Sequence, residues 1–171
     1  MNWIESSGGP LSLLEERILS AWGGVDSSVT DPKKTDYDRA CEVEDYASIL
    51  RVGDGEAVIF GDEPNPLSYI PHQQTYGIFV RWKWAPDQAS VESHLRSLNL
   101  QSIPEIGRVR FRVESKNLQV FDASLSGGDI KESLRLELNP GVYDITTKLY
   151  EPDSETALLL HVITKLSSSS D

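Results

Sequence analysis

The sequence predicts an α+β fold dominated by β-structure, with antiparallel sheets arranged like a sandwich and one or two helices packed on them. Three observations carry this. Apolar and charged residues alternate over long stretches, as in Val109, Phe111 and Val113 against Arg108, Arg110 and Arg112. Turn chemistry such as Gly53-Asp54-Gly55 and Glu151-Pro152-Asp153-Ser154-Glu155 separates β-rich runs. Helical spacing is clear in only two segments, each a single insertion among strands.

Taken in order, Ser6-Ser7-Gly8-Gly9-Pro10 precedes a short apolar segment. Leu14, Ile18 and Trp22 then recur every four residues, which predicts a two-turn helix over 15–22 ended by Gly23-Gly24. From Val25 to Lys34 the Asp, Ser, Thr and Pro residues predict a loop. Asp36 to Val43 fits either a short helix or the approach to a strand, and periodicity leaves both open. Ile49–Val52 and Ala57–Phe60 flank the Gly-Asp-Gly turn as a hairpin, and Gly61 to Pro66 leaves the sheet.

Ile78, Val80, Trp82 and Trp84 alternate with Phe79, Arg81 and Lys83, the pattern of a strand with one face in the core. Pro86-Asp87 opens a helix whose buried stripe is Val91, Leu95 and Leu98. Strands follow around Arg108–Val113, Leu134–Leu138, Val142–Tyr150 and Thr156–Thr164. Residues 1–166 are expected to form one globular domain, with 167–171 as a flexible tail.

Composition narrows function. The chain of 171 residues carries 16 Lys plus Arg against 27 Asp plus Glu, a net charge of −11. That sign opposes the counterion displacement on which nucleic-acid binding depends, and it would attract a basic protein. One cysteine, Cys41, excludes an internal disulfide framework and a cysteine-based zinc site. The N-terminal residues have neither the basic region nor the apolar run of a secretory signal, and no stretch is apolar enough to span a bilayer. The expected location is the cytoplasm.

No catalytic motif is legible. His72, His94 and His161 show no metal-ligand spacing, and neither a nucleophile elbow, a phosphate loop nor a dinucleotide fingerprint occurs. His161 lies in the apolar run Leu158–Val162 and reads as structural. Cys41 beside Glu42 is a poor nucleophile, since a neighbouring carboxylate raises a thiol's pKa, and a free cysteine is more often a small core residue. No cofactor or metal is expected.

Binding chemistry has better candidates. Between Asp36 and Glu63 stand nine carboxylates, Asp36, Asp38, Glu42, Glu44, Asp45, Asp54, Glu56, Asp62 and Glu63, against Arg39 and Arg51. Brought to one side they would form an anionic surface for a basic partner; otherwise they are solvated loop residues. Arg108, Arg110 and Arg112 read as the wet face of a strand, paired to acids on its neighbours. Trp22 and Trp82 lie on apolar stripes and read as core.

Several segments, Trp3 to Leu11, Trp22-Gly23-Gly24, Asp36-Tyr37-Asp38-Arg39-Ala40-Cys41, Val52 to Ala57 and Gly61-Asp62-Glu63-Pro64, in this order, resemble the immunity protein 21 family of bacterial polymorphic toxin systems. The resemblance covers roughly residues 1–100. It implies a cytoplasmic, non-catalytic protein that binds and neutralises a cognate secreted toxin, possible targets including basic nucleases. The competing expectation is a general interaction or regulatory module, homodimeric through exposed sheet edges.

Overall fold

The alternating stretches form strands that sort into two antiparallel sheets packed face to face. The computed structural model describes residues 1–61, 63–72 and 76–167. In chain order the elements are β1 (Trp3–Ile4), β2 (Leu11–Glu15), α1 (Asp36–Cys41), β3 (Ser48–Val52), β4 (Gly55–Phe60), β5 (Leu67–Ile70), β6 (Gly77–Trp84), α2 (Gln88–Arg96), β7 (Glu105–Val113), β8 (Asn117–Asp122), β9 (Leu134–Glu137), β10 (Gly141–Asp153) and β11 (Thr156–Lys165). The larger sheet has the order β1-β5-β6-β11-β10-β7 and the smaller β3-β4-β2-β8-β9. The expected mostly-β, sandwich-like α+β class is the one observed.

Three apolar layers hold this arrangement. Leu11, Leu13, Val58, Phe60 and Val120 from the smaller sheet meet Phe79, Phe111, Tyr143, Ile145 and Ile163 from the larger in a central core. The back of the smaller sheet, with Leu14, Ile59 and Phe121, is covered by Ile18, Trp22 and Ala40. The back of the larger sheet, with Ile78, Val80, Leu158 and Leu160, is covered by Val91 of α2 and Ile103. Central strands are therefore buried on both faces, a pattern that weakens sequence alternation.

That double burial corrects the expectation for β6. Phe79 and Arg81 are as deeply buried as Ile78 and Val80, so neither face is wet along most of the strand. Arg81 is tolerated inside because its guanidinium donates to the carbonyl oxygens of Tyr46, at 3.2 Å, and of Glu63. It thereby ties segments flanking the smaller sheet to the centre of the larger one.

The helix expected over 15–22 is instead the end of β2 followed by a 3₁₀ segment, Glu16–Ala21. Ile18 and Trp22 still reach the core that Leu14 enters, so the stripe was real while the backbone differs. Trp22 Nε1 donates to the Ala123 carbonyl at 3.0 Å, and its ring stands edge-on to Phe121. Gly24 then turns with φ +56°, and a Cβ there would lie 2.4 Å from the Ser124 carbonyl oxygen. The open segment at 36–43 is α1, and the predicted helix at 88 starts on the Asp87 cap, whose Oδ1 accepts the Ser90 amide at 2.8 Å.

Both predicted hairpins are present. Val52 pairs with Gly55, leaving Gly53-Asp54 as the turn, with Gly53 at φ +57°. The β10–β11 strands continue to Asp153 and Thr156, and their register shifts between Tyr150 and Asp153, where Pro152 has no N–H to give the ladder. Of the expected tail, Ser167 is exposed and the remainder lies outside the described residues.

Candidate functional site

The helix α1 packs Ala40 behind the smaller sheet and is tied to β3 by polar contacts that the sequence encodes locally. The Thr35 hydroxyl accepts the Asp38 amide at 3.0 Å, and the Asp38 carboxylate accepts the Thr35 amide at 3.1 Å, closing a capping box. These hydrogen bonds to Thr35 hold the Asp38 carboxyl below the usual carboxylate range. Asp36 points inward and is fully buried, accepting the Gly23 amide at 2.9 Å and Arg39 Nη1 at 2.8 Å. Arg39 Nη2 donates in turn to the Arg51 carbonyl of β3 at 2.7 Å.

This leaves a groove of about 500 Å³ between α1, the loop before it and β3. Val43 and Leu50 supply its apolar walls; Asp31, Glu42, Glu44 and Asp45 supply carboxylates. Its two cations are already engaged, Lys34 with Glu42 at 2.5 Å and Arg39 with Asp36. Glu42, Glu44 and Asp45 are exposed. The groove is thus open and net negative, and it adds Asp31, which lies just outside the acidic stretch singled out in the sequence.

The nine carboxylates separate accordingly. Glu42, Glu44 and Asp45 gather in the groove, whereas Asp36 and Asp38 are committed to the architecture of α1. Asp54 lies at the hairpin tip, 3.1 Å from Arg17, and partly buried Glu56 accepts the Arg112 amide at 3.0 Å. Around these two the charges are mixed, with Arg17, Arg51 and Arg112 beside Asp54, Glu56 and Glu114. Glu63 pairs with Lys83 at 3.2 Å. Asp62 lies outside the described residues.

In the arginine row on the outer face of β7, Arg108 and Arg110 are ion-paired. Asp144, on the adjacent strand β10, receives Arg108 at 3.2 Å and Arg110 at 3.1 Å, and Arg108 also reaches Glu105 at 2.6 Å. His161 is fully buried, with Nδ1 2.9 Å from the Thr147 hydroxyl. Burial, then the charge of Arg81, push its pKa well below the ordinary imidazole value. His94 lies 2.9 Å from Asp153. Cys41 is exposed at the end of α1, and not in the core as its residue type suggests, because the buried side of that helix is taken by Asp36 and Ala40. Among the four tryptophans Trp22 is core, Trp82 is half-buried against Trp3, and Trp84 is exposed.

Among the described residues, no helix is long and apolar enough to cross a membrane, and no group of three or more His, Cys, Asp or Glu is placed to hold a metal ion. Comparison with known families matches residues 2–156 to the model described as Immunity protein 21. The likeness therefore extends well past residue 100, through β7, β8, β9 and all of β10 to the first residue of β11. No curated protein and no solved structure matches the chain.

Proposed function

The chain belongs to the immunity protein 21 family, and from that membership we propose that it neutralises a cognate toxin by stoichiometric binding, without catalysis, in the cytoplasm of the producing cell. The groove between α1 and β3 is the docking surface for a basic patch on that toxin. The observation that carries this is the convergence of Asp31, Glu42, Glu44 and Asp45 on one open groove with apolar walls and no uncommitted cation. A carboxylate rim of this kind accelerates encounter with a cationic surface and fixes its orientation, and the apolar walls supply area that excludes water once docked. Basic nucleases, whose substrate-binding surfaces are cationic, are the toxin class such a surface suits best.

The test is co-expression with the toxin domain encoded beside the gene, scoring growth and co-purification at low and high salt. Rescue with a stable complex whose association slows as salt rises is the expected result. Toxicity that persists in the presence of folded protein, with no complex at either salt concentration, overturns the proposal for that pair.

A further inference from the structure

We infer that the free edge of β7 receives an extended segment of the toxin as an added strand of the larger sheet, an assignment that rests on the toxin binding proposed above. The edge is readable from the register. Arg112, Arg110 and Arg108 stand opposite Val142, Asp144 and Thr146 of β10. The Arg112 amide points away from β10, since it donates to the Glu56 carboxylate at 3.0 Å, and Val142 gives its carbonyl to Leu166 on the opposite side. With no register shift between Gly141 and Thr147, the amides and carbonyls of Arg110 and Arg108 face outward by the same alternation.

The fold closes one half of this edge and leaves the other open. Glu56 takes the Arg112 amide, and buried Glu15 takes those of Glu114, at 3.0 Å, and Ser115. The outward amides of Arg108 and Arg110 have no acceptor among the described residues. Alongside this open half runs a groove of about 240 Å³, bounded by Val109 and exposed Ile106 on one side and by Asp45 and Ser48 on the other. Asp45 and Ser48 also line the acidic groove, so one extended contact can span both. At nine residues β7 is the longest edge strand; β1, β3 and β9 have two, five and four, and β3 has its Arg51 carbonyl already taken by Arg39.

Charge decides the occupant. A second copy pairing antiparallel across the open half would set Arg108 and Arg110 against their own repeats, placing like charges across the strands. A toxin segment with acidic or polar side chains over those arginines, alternating with apolar ones towards Val109, meets no such repulsion and gains main-chain hydrogen bonds.

The test compares amide hydrogen exchange of the free protein and of its complex with the toxin domain encoded by the neighbouring gene, alongside Arg110→Pro and Arg110→Ala. Proline removes the outward N–H and is tolerated on an edge; alanine removes only the side chain. Protection of the Arg108 and Arg110 amides on binding, and affinity about tenfold weaker for the proline than for the alanine variant, are expected. Should the proline variant fail to fold, exchange at the two amides decides. A complex that leaves those amides exchanging as in the free protein overturns the edge pairing while toxin binding stands; absence of any complex overturns both.

Discussion

Arg39 holds the fully buried carboxylate of Asp36 at 2.8 Å, three residues along the same helix, while its other nitrogen anchors β3 through the Arg51 carbonyl. An acid that looks like part of an anionic surface in the sequence is thus a hinge pin between α1 and the smaller sheet. Asp36→Asn removes the charge that Arg39 compensates without changing the side chain's size. We expect a stability loss of about 3 kcal/mol in urea titrations.

Glu42, Glu44 and Asp45 should show the converse behaviour. They are exposed, so replacing all three with lysine is expected to change stability by no more than about 1 kcal/mol. The association rate with a basic toxin should fall at least tenfold at low salt, with the difference shrinking as ionic strength rises. Stopped-flow association at two salt concentrations checks this, and an unchanged rate would remove the groove from the interface.

These opposite expectations mark what was legible in the sequence. Alternation exposes a strand where one face is wet, which is why Arg108–Val113 and Leu134–Leu138 were visible. It fails where both faces are covered: β8 reads Leu118-Gln119-Val120-Phe121 because Val120 enters the central core while Phe121 packs behind it. Strand β1, of two residues, is too short to show a period. The four-residue spacing of Leu14, Ile18 and Trp22 identified a shared apolar destination but could not distinguish a strand followed by a 3₁₀ segment from an α-helix. For the site, sequence located the acids and not their directions. Whether Asp36 faces Arg39 or water depends on the Gly23 amide, thirteen residues earlier.

Trp22 links two such distant segments. Its indole fills the layer behind the smaller sheet and bonds the Ala123 carbonyl. Trp22→Phe should cost about 2 kcal/mol, from a lost hydrogen bond and a small cavity, and Trp22→Ala about 3–5 kcal/mol. Gly24→Ala, next to it, meets both a left-handed backbone and the Ser124 carbonyl, and should lower the thermal midpoint by several degrees.

Arg81 and His161 together make the stability of the fold depend on pH. Burial and then the Arg81 charge keep His161 neutral in the native state well below its ordinary range, whereas the unfolded chain takes up a proton near pH 6.5. A depressed histidine pKa means the unfolded state binds more protons, so stability should fall as pH drops below about 6.5, with a slope approaching 1.4 kcal/mol per pH unit from this residue. His161→Gln should flatten that slope. Arg81→Met removes the second cause and leaves the first, so the His161 titration should move upward without reaching 6.5. The same change frees the Tyr46 and Glu63 carbonyls, and it should loosen the neighbouring acids Glu44 and Asp45. An Arg81→Met protein with unshifted His161 titration, followed by NMR, would show that burial alone sets the histidine, and unchanged exchange of the 44–46 amides would show that the arginine does not position the groove.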